Sequence, residues 1–453
     1  MPESISAELV ALRQRAERFA AEVLIAGQAE LAAGRAQRSA VHDSVTRAAR
    51  AAGFFAMTQP RSCGGSEAGP LAMTVVRDTF AGYNTGLDAF VFGPGPGVLG
   101  NCAEPLRSLY LQPLLAGEKR AGFAVTEPDD AEHFTRAAPL DGAFVVTGRK
   151  SYVTRGADAD FLNTLVEVEG QGRALLVIDA HAPGVTLERR FETLDGSHHA
   201  AFRFDAVRVP VDRLIGRPGE GLPRALRQIG DTRLAIAARA VGLARWAIDF
   251  THAHLQALHH SGEALGAREG VRLRYAEMRI RTFAARSMLY RTARLAEAGT
   301  NVVNEGIACK VYATETVGEV VDTAIQLVGG KALTVGHPLE RLYREVRALR
   351  IAEGASAQKD ALKAAKAQQD AIIAKARSLD AKARVLGTTG KASNVVMLNI
   401  AAKHLAALAK DRSVVAIVPV KDYELDLSET VAYVGAKTVQ GKGFKGAGVD
   451  VAV

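Results

Sequence analysis

The hydrophobic period of this chain changes twice, and that change restricts its fold more than any other feature. Up to about residue 118 apolar residues recur at intervals of three and four, as in Leu9, Leu12, Ala16, Phe19, Ala20 and Val23, and segments 41–52 and 70–83 behave alike between glycine-rich breaks at 64–69 and 93–97. From about 119 the chain turns to short β-branched and aromatic runs: AGFAVTE, AFVVTGRKSYVT, DFLNTLVEV, ALLVIDA, GVTLERR and AAFRFDAVRV, parted by Gly, Asp or Pro turns. From Leu222 to about Leu349 the helical period returns in segments long enough to pack as a bundle. The expectation is an α+β chain: an all-α N-terminal domain over 1–118, a small antiparallel β domain over 119–221 and a helical bundle over 222–386.

The remaining stretch, 387–453, is an atypical extension. Residues 1–355 hold 38 Arg and 4 Lys, whereas 356–453 hold 3 Arg and 12 Lys. A seven-residue rhythm over 357–386, through Leu362, Ala365, Ile372, Ala376, Leu379, Ala383 and Leu386 and broken by Gln369, predicts a helix packed on its own domain. A further helix is expected over 394–410, then strands in VVAIVPV, YELDL and TVAYVGAKTV. The closing GKGFKGAGVDVAV follows neither P-loop nor Rossmann spacing and reads as terminal turns.

Composition excludes several classes. With 453 residues and 48% hydrophobic content the chain can bury large cores. No run of about 18 apolar residues occurs, so no membrane span and no signal peptide are expected. Cys63, Cys102 and Cys309 are odd in number and widely spaced, which excludes a disulfide framework and suits a reducing cytoplasm. The net charge of +8 is spread along the chain without a zinc-finger or RNP-like motif. An anionic small molecule such as a phosphorylated cofactor therefore explains the excess as well as nucleic acid would, and no nucleic acid is expected. His252, His254, His259 and His260 contain no i, i+4 pair with an acid in register, so no metal site is expected.

Three stretches carry a sharper signal. In RLYREVRALRIAEGAS, Arg341, Arg344, Arg347 and Arg350 run at three-residue spacing into Glu353 and Gly354, which predicts a basic helix side ahead of one acid at a flexible point. Upstream lie FAVTEP (123–128) and FDAVRVPVDRLIG (204–216). In this order, over roughly 1–380, the three resemble the acyl-CoA dehydrogenase family of flavoproteins.

The resemblance implies an N-terminal α domain, a β domain and a C-terminal four-helix bundle, with FAD lying between sheet and bundle. It implies α,β-dehydrogenation of an acyl-CoA or acyl-carrier thioester, in which Glu353 takes the α-proton while the β-hydride passes to the flavin. Thr126 and Thr154 match positions that hydrogen-bond the flavin ring, and Tyr152 stands where the family usually has tryptophan. Gln326, Gly329 and Gly330 match a Gln-x-x-Gly-Gly turn that reaches the adenosine side of the flavin across a subunit contact. Arg233 matches a residue near the acyl-CoA entrance, and Gly354 follows the base. A homodimer or homotetramer and an electron-transfer flavoprotein partner are implied as well.

The pattern also departs from the family. Ala352 and Ala355 replace the tyrosine and threonine beside the base, and Thr232 fills the other position from which some members supply it. DDAEHFTR, with Asp129 and Asp130, replaces a neutral loop, and His254 and Ala257 replace an Arg and a Phe that contact flavin pyrophosphate. These departures leave open a flavin monooxygenase, a carrier-protein dehydrogenase, or a catalytically silent scaffold of the same fold.

Overall fold

A computed structural model describes residues 4–258, 262–352, 355–389, 395–411, 414, 417 and 418. The chain divides into two compact units, 1–360 and 361–453. The first unit begins with α1 (Ala7–Phe19), whose N-cap Ser6 accepts the Leu9 amide and which runs through a wide turn into α2 (Ile25–Ala32). Then come α3 (Arg38–Ala51), α4 (Pro70–Ala81), opened by a proline in the first turn, and the short α5 (Gln112–Ala116). Phe19, Phe54 and Phe80 meet edge to face or tilted at 5.2–5.7 Å between centroids and form the centre of this core.

The period-two region forms β1 (Ala121–Ala124), β2 (Arg136–Leu140), β3 (Ala143–Thr154), β4 (Phe161–Val168), β5 (Gly172–Asp179), β6 (Val185–Glu192), β7 (His198–Pro210) and β8 (Leu214–Ile215). Their order is β6-β7-β3-β2-β4-β5-β8, with β1 beside β4. The sheet is antiparallel as expected except that β4 pairs parallel with both β1 and β2. β4 shows why its run lacks alternation, because it is covered on both faces. Leu162 and Val166 join Phe202 and Phe204 on one side, while Phe161 and Leu165 join Leu99, Leu106, Leu111 and Leu114 on the other.

The bundle consists of α6 (Gly221–Gln256), α7 (Glu269–Glu297), α8 (Val303–Val328) and α9 (Pro338–Leu349). Small residues on α6 let helices approach closely. A Cβ at Gly242 would lie 2.6 Å from both the Ala81 methyl and the Asp78 carbonyl, so the α4–α6 crossing requires glycine there.

α10 (Ala355–Leu379) is followed, in the second unit, by β9 (Arg384–Thr389) and β10 (Val395–Asn399), an antiparallel pair, and by α11 (Leu405–Ala409). This corrects the expected helix over 394–410: Val395–Leu398 is a short apolar run, and strand pairing with 384–389 decides its state. Leu386, the last residue of the seven-residue rhythm, falls in β9. The segments YELDL, TVAYVGAKTV and GKGFKGAGVDVAV lie outside the described residues, as does most of VVAIVPV.

Candidate active site

The end of β3 does not continue as a regular strand. Its register against β7 shifts between Lys150 and Val153, and Tyr152 and Arg155 sit at φ +54° and +52°. A bulge with non-glycine residues in the left-handed region is held against its local cost by the surrounding sheet. The consequence is that Tyr152 is 56% exposed, its ring resting edge-on against Phe191 at 5.2 Å. Thr154 is exposed two residues further on. Thr126, in the turn after β1, is exposed too, and its carbonyl accepts the Ser151 amide at 2.8 Å. Thr126, Tyr152 and Thr154 are thus brought to one rim of the sheet.

Under this rim lies a residue that the sequence reading missed. Lys150 is fully buried, donates to the Val125 carbonyl at 3.0 Å and to the Glu127 carboxylate, and stands 4.5 Å above the Phe134 ring. Glu127 also accepts the Thr135 amide at 3.3 Å. Lys150 therefore ties down the residues on both sides of Thr126. Burial pushes its ammonium down to about 8, against the opposing pull of Glu127. The only sequence signal was a lysine in alternation with Phe144 and Val146 along β3.

The acidic loop after FAVTEP is less hostile than its composition suggests. Arg149 donates to Asp130 at 2.9 Å, and that bond is the main reason the exposed Asp130 carboxyl lies below its usual range.

On the bundle side, Gln326 is exposed near the end of α8, and Gly329 ends that helix at φ +85°. Neither Gly329 nor Gly330 has any atom within 4 Å of where a Cβ would stand, so a ligand can approach that backbone closely. Gln326 also borders a cavity of about 430 Å³ between α7 and α8, together with Arg274, Glu277, Arg281, Glu319 and Asp322. Among the described residues no hydrogen bond joins this turn to the sheet rim. Arg233 is buried on α6, 8% exposed, and the Thr232 hydroxyl is bonded to the Gln228 carbonyl at 3.0 Å.

Glu353 and Gly354 lie outside the described residues. The helix leading to them corrects the expected basic side. Arg341 donates to the Asn84 carbonyl at 2.7 Å, Arg344 to Glu340 at 2.7 Å and Arg350 to Glu315 at 2.9 Å. Three residues fall about 60° short of a full turn, so the four arginines spiral around the helix; Arg341, Arg344 and Arg350 take separate partners and Arg347 is exposed. Lys310, buried on α8, fixes the Arg350 carbonyl at 3.0 Å, so the chain entering the Glu353 segment is held from two directions.

The residues at the rim fit a flat aromatic ring with polar edges: two exposed hydroxyls flank an exposed tyrosine, above a loop that Lys150 immobilises. The open Gly329–Gly330 backbone fits a diphosphate. Among the described residues no group of His, Cys, Asp and Glu is arranged to hold a metal; His252 stacks on Tyr275 at 5.6 Å, while His259 and His260 lie outside the described residues.

Comparison with known proteins gives the same direction. Residues 6–118 match the family model described as acyl-CoA dehydrogenase, N-terminal domain, and residues 219–366 match acyl-CoA dehydrogenase, C-terminal domain. The caffeyl-CoA reductase-Etf complex subunit CarC of Acetobacterium woodii is 25% identical over 319 residues, spanning 67% of this chain and 84% of that protein. The short-chain specific acyl-CoA dehydrogenase of Clostridium acetobutylicum is 29% identical over 263 residues, 56% of this chain and 69% of that one. A crystal structure described as a probable acyl CoA dehydrogenase from Mycobacterium abscessus superposes with a TM-score of 0.68 at 30% identity, covering 77% of this chain and 96% of that one.

Proposed function

Since the chain belongs to the acyl-CoA dehydrogenase family, we propose that it is the FAD-dependent oxidoreductase that introduces an α,β double bond into an acyl thioester, with Glu353 as the base. The observation that carries this reading is the exposed Thr126–Tyr152–Thr154 rim, held open by a left-handed bulge and by buried Lys150.

FAD supplies the two-electron acceptor. The chain's own residues do the rest. Thr126, Tyr152 and Thr154 would hold the ring, and the Gln326–Gly330 turn would hold the adenosine side from a neighbouring copy in a homodimer or homotetramer. Arg233 lies toward the thioester entrance. An α-proton beside a thioester is weakly acidic, so the carboxylate that removes it must be partly desolvated and accurately placed. The bonds of Arg350 to Glu315 and Lys310 support that placement by fixing the chain just ahead of Glu353.

An electron-transfer flavoprotein is the partner this reading favours, supported by the Etf complex named for the Acetobacterium relative. No described helix is long and apolar enough to cross a membrane, and a cytoplasmic enzyme is the reading that agrees with the reduced cysteines.

Two measurements test the proposal. The purified chain should carry a flavin absorbance, and a panel of acyl-CoAs should bleach it anaerobically. Glu353→Gln should keep the flavin and slow bleaching about 10²–10⁴-fold, the usual value of general-base catalysis. Bleaching at the parental rate would remove Glu353 from the mechanism.

A further inference from the structure

Thr154, His199 and Phe191 stand in one cross-strand row, because His199 of β7 pairs with Thr154 of β3 on one side and with Phe191 of β6 on the other. The imidazole stacks on the Phe191 ring at 5.7 Å and 20°, which fixes its plane. Its Nε2 lies 3.0 Å from Ser197 Oγ, and its Nδ1 lies 3.4 Å from Thr154 Oγ1 and 3.4 Å from the Tyr152 carbonyl.

The protons along this chain can be assigned from its far end. Asp195 Oδ1 receives Thr193 Oγ1 at 2.6 Å, Ser197 Oγ at 2.8 Å and the Ser197 amide at 3.2 Å. Burial would raise this carboxyl, but the hydrogen bonds from Thr193 and Ser197 together outweigh it and hold the group below its usual range. An ionised carboxylate only accepts, and it is a stronger acceptor than the Thr193 hydroxyl 2.7 Å from Ser197 Oγ, so the single hydroxyl hydrogen of Ser197 goes to Asp195. Ser197 Oγ must then accept from His199, which puts the imidazole hydrogen on Nε2. In the neutral imidazole, which has one N–H, Nδ1 is then bare. It takes the hydroxyl hydrogen of Thr154, since the Tyr152 carbonyl has none to give. Thr154 is left presenting oxygen lone pairs to the rim.

We propose that His199 is a positioning residue that makes Thr154 a hydrogen-bond acceptor, so that the rim favours a ring edge bearing an N–H over one bearing a bare nitrogen. For an isoalloxazine this means preference for the reduced form, in which a ring nitrogen has gained hydrogen along with the two electrons. The inference deepens the FAD reading and rests on it for its ligand; the tautomer itself does not.

The tautomer is tested directly in the full-length chain labelled with ¹⁵N-histidine. Long-range ¹H–¹⁵N correlation, with His199 assigned through its loss in His199→Gln, should show the Nε2–H form near neutral pH, with or without flavin. A Nδ1–H form or an imidazolium would overturn the proposal.

The consequence for the ligand is tested by the midpoint potential of the bound flavin. His199→Phe keeps the stack on Phe191 and removes both nitrogens, releasing the Thr154 hydrogen. The ratio of reduced to oxidised FAD affinity should fall about three- to tenfold, the worth of one neutral hydrogen bond. For a two-electron couple that is roughly 15–30 mV more negative. His199→Gln, whose amide can still donate toward Ser197 and accept from Thr154, should restore most of the shift. In a Thr154→Val background His199→Phe should change nothing further. A parental potential in His199→Phe, or an equal shift with Thr154→Val present, would overturn it. A parent chain that holds no flavin would instead overturn the cofactor reading, and the tautomer measurement would still decide the inference.

Discussion

Asp78 on α4 and Asp88 shortly after it both send a carboxylate toward the bundle, and their surroundings differ in a way that separates a clasp from an adjustable contact. Asp78 is completely buried and receives Arg245 at 2.9 Å, Arg286 at 2.8 and 3.0 Å and the Tyr290 hydroxyl at 2.9 Å, which ties α4 to α6 and α7. Asp88 faces Arg239 at 3.2 Å, and Arg239 faces Glu345 of α9 at 2.7 Å. There Arg239 Nε and Glu345 Oε1 have ion-pair proximity without hydrogen-bond alignment. A buried charge is tolerable when its lone pairs are met in good geometry and costly when they are not. Only the first centre meets that standard. Burial accordingly pushes the Glu345 carboxyl above its usual range, with Arg239 opposing, and pushes the Tyr290 phenol above its own.

The largest expected effect is at the clasp. Asp78→Ala would leave the partly buried Arg245 and Arg286 guanidinium groups and the buried Tyr290 hydroxyl without their carboxylate, and should cost about 3–5 kcal/mol in urea or thermal unfolding. A loss under about 1 kcal/mol would mean that water replaces the carboxylate and that the two centres are equivalent.

A smaller effect, with a distinctive pH signature, is expected at Glu345. Its folded pKa lies above the ordinary 4.5, so between those values the folded chain holds a proton that the unfolded chain has released. The stabilising contribution is therefore present below the unfolded value and lost as pH rises through the folded one. Glu345→Gln should remove that slope: relative to the parent the variant gains stability as pH rises above the ordinary 4.5. Parallel stability–pH curves would show that Glu345 ionises normally and that its poor alignment is immaterial.

The α–β–α order was readable because helical and strand periods leave different sequence traces, and each change of period survives in the structure. The two rim threonines, which we propose face the flavin, could be singled out only through their flanking TEP and YVT, since an isolated strand threonine carries no signal. Lys150 and His199 were not readable. Their roles depend on pairings such as Thr154 with His199 and on a carbonyl in the next turn, and a strand's own pattern does not specify its neighbour's register. The partners of Asp78 lie 167, 208 and 212 residues away in sequence, so nothing local distinguishes that acid from an exposed one. The arginines of α9 were misjudged as one-sided because a spacing of three looks periodic on paper but rotates steadily around a helix.

An exposed pair supplies the third term of the comparison. Arg350, at the end of α9, holds Glu315 of α8 through two nitrogens, and both side chains are about 40% exposed, at 39% and 44%. The geometry is as good as that of Asp78, so if alignment alone set the energy, Glu315→Gln would approach the clasp in cost. Water already solvates both partners, however, and the expected loss is about 0.2–1 kcal/mol. Because the Glu315 side chain is far more exposed than those of Asp78 and Glu345, at 44% against 1% and 14%, 1 M NaCl should erase the Glu315→Gln effect and leave those of Asp78→Ala and Glu345→Gln nearly unchanged. Unfolding of the three variants at low and high salt separates the contributions. A salt-sensitive Asp78 would mean that its site opens to solvent, whereas a salt-resistant Glu315 would mean that the end of α9 is shielded, placing the segment that leads to Glu353 in a drier environment than its exposed neighbours indicate.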